Sequence, residues 1–313
     1  MSGFKFGIFG ESHAPEIGVE IDGVPKGFAI DMRALQAFLD RRAPGRGQGG
    51  VSTPPTEPDV PVFTAGVTDG VATGGTIRAV IRNTNVRPAD YANVTTVPRP
   101  GHADYAAWLK TGRIPTGGGK WSGRLTAPLC IAGGIAKQLL ALRGVAVAAE
   151  VVAHSTPEPD DSVGGVVEIV ATGVPAGLGD VGTDGLESRL AFALFGIPAV
   201  KGVEFGDGFR LAAMKGSEAN DAFEIADGRV KLRTNHCGGI LGGVSVGAPI
   251  VARIAFKPTP SIAKEQDSVD LATLKPVRLS VRGRHDQCVA YRGAVAAEAA
   301  VAAALLGVMT EDA

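Results

Sequence analysis

A chain of 313 residues, 45% of them apolar, is long enough to bury a sizeable core. Its formal net charge of −1 and pI of about 6.5 give no global attraction to nucleic acid or to an anionic membrane, and 5% aromatic residues disfavour a stacking platform for bases. Any anion site must therefore be local, built from clustered arginines and backbone amides.

The predicted elements follow in chain order. A strand is expected over 17–21. Asp31 can cap a helix running through Arg42, with Leu35, Phe38 and Leu39 on one face and Pro44 as its stop. Strands are expected over 60–67 and 75–81, rich in β-branched residues and punctuated by glycine. The segment 126–142 reads as a buried helix with Pro128 in its first turn. Strands over 145–152 and 165–171, a helix over 186–195, strands over 200–205 and 244–256 and a helix over 294–306 complete the set. The apolar run 294–309 is alanine-rich, carries Glu298 and is too short to span a bilayer, so a buried helix is expected there. No linker block or long repeat divides the chain, which predicts one domain over 1–313. Strands outnumber helices, and the helices are largely apolar. That predicts an α+β class: a β-α-β sandwich with helices packed between antiparallel sheets.

Cys130, Cys237 and Cys288 are isolated and form no CxxC pair, so reduced thiols, no zinc site and a cytoplasmic location are expected. The opening MSGFKFGIFGESH has no basic segment followed by an apolar run and reads as lacking a secretion signal. Neither a nucleic-acid nor a membrane partner is expected.

Four of the five histidines sit in segments dense with Gly, Arg, Asp or Ser: His13, His102, His236 and His285. His154 lies at an ordinary strand end. Glycine-flanked turns are where backbone approaches ligands, although any one such histidine can equally be a turn residue bonded to a carbonyl. Gly117-Gly118-Gly119-Lys120-Trp121-Ser122-Gly123-Arg124 runs into the helix at Thr126. Amides at that helix start, with Lys120, Ser122 and Arg124, could cradle a phosphate. It is not a Walker A loop, because Trp121 follows the lysine. The second glycine run, 238–243, leads into a strand, which argues against a Rossmann turn. Lys257-Pro258-Thr259-Pro260-Ser261 fixes an extended path carrying a lysine and two hydroxyls. Arg41 and Arg42, near Arg46, form a basic helix end that also suits the helix dipole.

In order, the segments GESH (10–13), RRAPG (41–45), RPGHADY (99–105), GGGKWSGRLTA (117–127), IPAVKGVEFGDGF (197–209), NHCGGILGG (235–243), KPTPS (257–261) and GRHDQC (283–288) resemble the chorismate synthase family. The resemblance covers most of the chain. It implies a trans-1,4-elimination of phosphate from 5-enolpyruvylshikimate 3-phosphate, giving chorismate in the shikimate pathway of aromatic amino acid biosynthesis. The reaction has no net redox change yet depends on reduced FMN. By resemblance, His13 protonates the leaving phosphate, His102 donates a proton towards the reduced flavin, and Asp286 helps the flavin accept the ring proton. Lys120, Trp121, Ser122, Pro198, Ala199, Gly242, Lys257, Pro258, Thr259, Pro260, Ser261 and Arg284 match flavin-contacting positions. Arg41, Arg42, Arg46, Arg99 and Arg124 match candidates for holding two carboxylates and a phosphate. Arg42 also matches a position related to NADP in some members. The chain departs from the family pattern at Ala14, Ala43, 47–51 and 120–124. An external source of reduced flavin, such as a flavin reductase, is therefore expected. The resemblance also implies a homotetramer. A phosphatase of small anionic esters and a non-catalytic flavin-binding protein are the alternatives.

Overall fold

The computed structural model describes residues 3–45, 58–83, 95–281 and 285–311. Two four-stranded antiparallel sheets enclose a layer of helices, and the elements come in this order. Strands β1 (Lys5–Gly10) and β2 (Glu16–Asp22) lead to helix α1 (Met32–Arg42). Strands β3 (Val62–Ala65) and β4 (Ile77–Arg82) follow, then α2 (Asp104–Thr111) and α3 (Thr126–Ala141). After these come β5 (Ala146–His154), β6 (Gly165–Thr172), α4 (Leu186–Phe195), β7 (Val200–Phe205), β8 (Ile250–Phe256) and α5 (Ala290–Glu311). The strand orders are β1-β2-β4-β3 and β5-β6-β8-β7, with every neighbouring pair antiparallel.

Alternation decides which face of each sheet is buried. In β2, Ile17, Val19 and Ile21 are fully buried, and they stand directly opposite Ile81, Ala79 and Ile77 of β4. In β8, Ile250, Ala252 and Ile254 face Ala171, Ile169 and Val167 of β6 in the same way. Each buried isoleucine stabilises the fold by about 1.5–3 kcal/mol. The two apolar faces are covered by helices: α3 packs on the first sheet, α5 on the second, and α3 on α5. Two glycines in α3 permit that layering. A Cβ on Gly133 would lie 2.3 Å from Ala299 of α5, and one on Gly134 would lie 2.5 Å from Leu35 of α1.

The α+β sandwich is therefore as expected, with instructive differences. Asp31 does cap α1, its carboxylate accepting from the Arg33 and Ala34 amides at 2.9 Å each. The expected strand 244–256 is broken, because Gly247 (φ +81°) and Pro249 interrupt it. A short hairpin strand remains at Val244–Ser245, and β8 begins at Ile250. The last helix is longer than expected, at 22 residues, and apolar enough by length and composition to cross a membrane. It is nevertheless a core helix. Glu298, 1% exposed, accepts from Lys137 and Arg41 within the helix layer.

This layering brings several chain ends to one place. The C-terminal ends of α1 and α4, the N-terminal ends of α3 and α5, and the exit of β8 all open onto a single cavity.

Candidate active site

The cavity measures about 770 Å³. Its wall includes seven lysines and arginines (Arg42, Arg99, Lys120, Arg124, Lys201, Lys257 and Arg292) and one carboxylate, Asp286. A near-neutral chain has thus gathered a local excess of positive charge.

The glycine turn at 117–119 shapes the floor. All three residues have positive φ, at 61°, 86° and 53°, so the turn is not a helix start. The expected cradle of helix amides is corrected here. Ser122 caps a 3₁₀ turn over 123–125, its Oγ accepting from the Arg124 amide, and α3 begins only after that turn. What the glycines provide is room. A Cβ on Gly117 would lie 2.0 Å from His13 Cε1, and one on Gly118 would lie 3.0 Å from His102 Cε1. The two imidazoles therefore rest on consecutive residues of one turn, although they are 89 positions apart in the sequence. His102 lines the cavity; His13 does not, and meets it only through Gly117, which does. Burial lowers the proton affinity of both histidines. For His13 a backbone bond to Thr116 opposes the burial; for His102 the Asp104 carboxylate opposes it, while Arg99 and Lys257 act with it.

The arginines divide into two groups. Arg42 (1% exposed) donates to Asp59 at 2.5 Å and to Thr126 Oγ1 at 3.1 Å, and Arg124 donates to the other oxygen of Asp59. Both guanidinia hold the Asp59 carboxyl below its usual range against the opposing effect of burial. Arg99 clasps Asp104 with Nε and Nη2 at 2.7 and 2.8 Å. Arg41, by contrast, is not at the cavity. Adjacent helical residues point about 100° apart, so Arg42 turns inward while Arg41 reaches Glu298 at 2.8 Å. Arg46 and Arg284 fall outside the described residues.

Of the flavin-matching positions, Lys120, Trp121, Ser122, Pro198, Ala199, Lys257, Thr259, Pro260 and Ser261 line the cavity. Two do not. Pro258 lies towards Gly164 instead, and Gly242 sits at a hairpin tip whose neighbour Gly243 packs on Asp180. Ala199 adopts φ +74°, a left-handed conformation rare for a residue with a Cβ. Asp286 accepts from Arg292 at 2.7 Å, and His285 lines the same wall. His236 is elsewhere, its Nδ1 2.7 Å from Asp207.

Sequence reasoning missed Asp59, Asp104, Lys201 and Arg292. Asp104 had a visible signal, lying two residues after a glycine-flanked histidine. Arg292 lies six residues after Asp286. Asp59 had none: its partners are 17 and 65 residues away.

Comparison with known proteins agrees with this architecture. A family model described as chorismate synthase matches residues 4–158 and 153–310. The chain belongs to the chorismate synthase family. It is 43% identical to a chorismate synthase of Lancefieldella parvula, over 96% of this chain and 93% of that protein. It is 44% identical to one from Chitinophaga pinensis, over 98% and 94% respectively. A crystal structure of chorismate synthase superposes with a TM-score of 0.74 over 100% of this chain and 93% of that one; at 22% identity it speaks to the fold alone. Membership makes the chain an enzyme, a carbon–oxygen lyase of aromatic amino acid biosynthesis.

Proposed function

We propose that the chain performs its family's elimination in this cavity, releasing phosphate from 5-enolpyruvylshikimate 3-phosphate and forming chorismate with reduced FMN. The observation that carries the assignment of the site is the pair of imidazoles on Gly117 and Gly118, beside a wall of seven cations and one carboxylate.

The residues present fit a flavin phosphate together with a phosphorylated ring acid. The volume suits small-molecule occupancy. Thr259 Oγ1 is buried in the wall with no hydrogen-bond partner among the described residues, as expected of a group awaiting a ligand. Lys120, Lys257 and Ser261 complete a polar rim for FMN. When bound, reduced FMN supplies an electron-rich ring that can lend density to the departing phosphate and recover it as hydrogen leaves. By the family reading, His13, which meets the wall only at Gly117, would supply a proton to the leaving phosphate, His102 would hold a proton for the flavin, and the Asp286 carboxylate, held by Arg292, would assist removal of the ring proton. Among the arginines at substrate-matching positions in the wall, Arg124, with a side chain 14% exposed, is best placed to meet a substrate anion; the side chains of Arg42 and Arg99, at 1% and 4%, hold the wall in shape.

An external source of reduced flavin accords with Arg42, the position related to NADP, whose guanidinium is already engaged by Asp59 and Thr126. Phe192 and Phe209, 85% and 83% exposed, suit subunit contacts in a homotetramer. A single domain is consistent with the main core cluster running from Phe4 to Val308.

The test is anaerobic turnover of the enolpyruvyl phosphate substrate with and without dithionite-reduced FMN. Chorismate should form only with reduced FMN. Phosphate release without flavin would instead indicate a hydrolase.

A further inference from the structure

The loop that carries His102 also carries a carboxylate with no part in the roles above. Asp104 is the first residue of α2 and is fully buried. Its Oδ2 accepts from the Arg99 amide at 3.0 Å and from Arg99 Nε at 2.7 Å, and its Oδ1 accepts from Arg99 Nη2 at 2.8 Å. The far side of the guanidinium is fixed by Ser261 Oγ at 3.0 Å. A forked pair of this kind, shielded from water, holds its carboxylate in one orientation.

Two groups meet His102 Nδ1: Asp104 Oδ1 at 2.5 Å and Arg99 Nη2 at 3.0 Å. The shorter contact decides the tautomer. A proton on Nδ1 satisfies the carboxylate oxygen, whereas a lone pair there would face an anion at 2.5 Å. The Arg99 contact then follows from both groups sharing Oδ1. With Nδ1 so engaged, the Cε1–Nε2 edge of the ring lies over buried Gly118, and His102 itself and Gly117, the neighbour of Gly118, line the cavity.

We propose that Asp104, clamped by Arg99, is a positioning residue that fixes His102 as the Nδ1–H tautomer and presents Nε2 to the cavity. The inference rests on His102 acting there as a proton donor. It also gives Arg99 a different task from the one its motif suggests. Its fork is occupied by Asp104 and Ser261, so it orders the wall instead of holding a substrate anion. The charged groups facing the imidazole are Asp104, Arg99 and Lys257. The carboxylate favours the protonated ring and the two cations oppose it.

The test pairs Asp104→Asn with His102→Ala. The amide keeps the size of the side chain but can donate to Nδ1, reversing the tautomer. Asp104→Asn should lower kcat by about 10²-fold with little change in KM, within the range for a misplaced general acid. Losing the carboxylate leaves Arg99 and Lys257 to disfavour the imidazolium. The alkaline fall in kcat should therefore move to lower pH. Adding Asp104→Asn to His102→Ala should cause no further loss, because both act through one ring. If His102→Ala alone leaves turnover intact, the donor reading fails and takes this inference with it. If His102→Ala is impaired but Asp104→Asn keeps the parental kcat and pH profile, or if the two losses multiply, only the positioning role is overturned. The native protein offers a second check that needs no folded variant. ¹⁵N-resolved NMR of the His102 ring above its pKa should show the proton on Nδ1, and a proton on Nε2 overturns the proposal.

Discussion

Replacing Gly117 with alanine tests whether the glycine turn exists to seat the imidazoles. Gly117 has φ +61°, and a left-handed conformation costs a residue with a Cβ about 1–2 kcal/mol. The added methyl would also lie 2.0 Å from His13 Cε1 and 2.3 Å from its Nδ1, far inside contact distance. Relieving that overlap by moving the ring costs about 1–3 kcal/mol more, the usual range for overpacking. The total is about 2–5 kcal/mol, and the movement takes His13 away from the turn. Gly112 is the matched control, since it has φ +71° at the end of α2 with open space at the Cβ position. Gly112→Ala should show only the backbone term. Thermal denaturation and anaerobic turnover of both variants separate the two contributions. Gly117→Ala should lose about 10²–10⁴-fold in kcat, as for a lost general acid, whereas Gly112→Ala should keep parental turnover. Equal turnover in the two variants would show that His13 does not need the space, and the argument for this turn would fall.

Other perturbations probe the frame and the charges. Gly133→Ala should destabilise the protein by about 1–3 kcal/mol despite better helix propensity, because its methyl would overlap Ala299; a raised melting temperature would contradict the packing account. Lys137→Met removes one partner of buried Glu298 while Arg41 still holds the carboxylate, and should cost about 1.5–3 kcal/mol in denaturant titrations, with turnover per folded molecule unchanged. Arg124→Ala should weaken substrate binding by at least about 10²-fold, and unaltered affinity would remove Arg124 from the site. His13 and His102 have folded pKa values below 6.5, so between those values and 6.5 the unfolded chain binds more protons. Stability should therefore fall as pH drops below about 6.5, a slope that His102→Asn should reduce in melting curves recorded against pH. Binding of anionic ligands should raise both pKa values, read as proton uptake in calorimetry across buffers of different ionisation enthalpy.

Much of the fold was legible because period-two alternation and capping are local signals. β8 shows Ile250, Ala252, Ile254 and Phe256 on one face, and Asp31 stands immediately before its helix. β1 was not legible: KFGIFG contains two glycines and lies at a sheet edge, where neither face is fully buried. Helix α2 was missed because eight residues give barely two turns and no side-chain cap. At the site, the histidines stood out by their glycine neighbours, and the ordered motifs named the family. The partners did not stand out, because charge pairing across the fold leaves no pattern along the chain. Arg41 and Arg42 look equivalent in sequence, yet helix geometry sends one to Glu298 and the other to Asp59.

The carboxylates in and behind the cavity wall explain how a chain of net charge −1 can hold an anion site without tearing itself apart. Arg42 and Arg124 share Asp59, Arg99 has Asp104, and Arg292 has Asp286. Seven cations less these three carboxylates leave four positive charges at the wall. Each pairing also orients a guanidinium before any ligand arrives, so less ordering remains to be done on binding. Lysines 120, 201 and 257 then contribute the field, while the arginine–carboxylate frame contributes the shape. The depressed histidine pKa values come first from burial, and at His102 Arg99 and Lys257 add to it. An anion bound beside Lys257 would oppose that part of the effect, so the ligands themselves would help to charge His102.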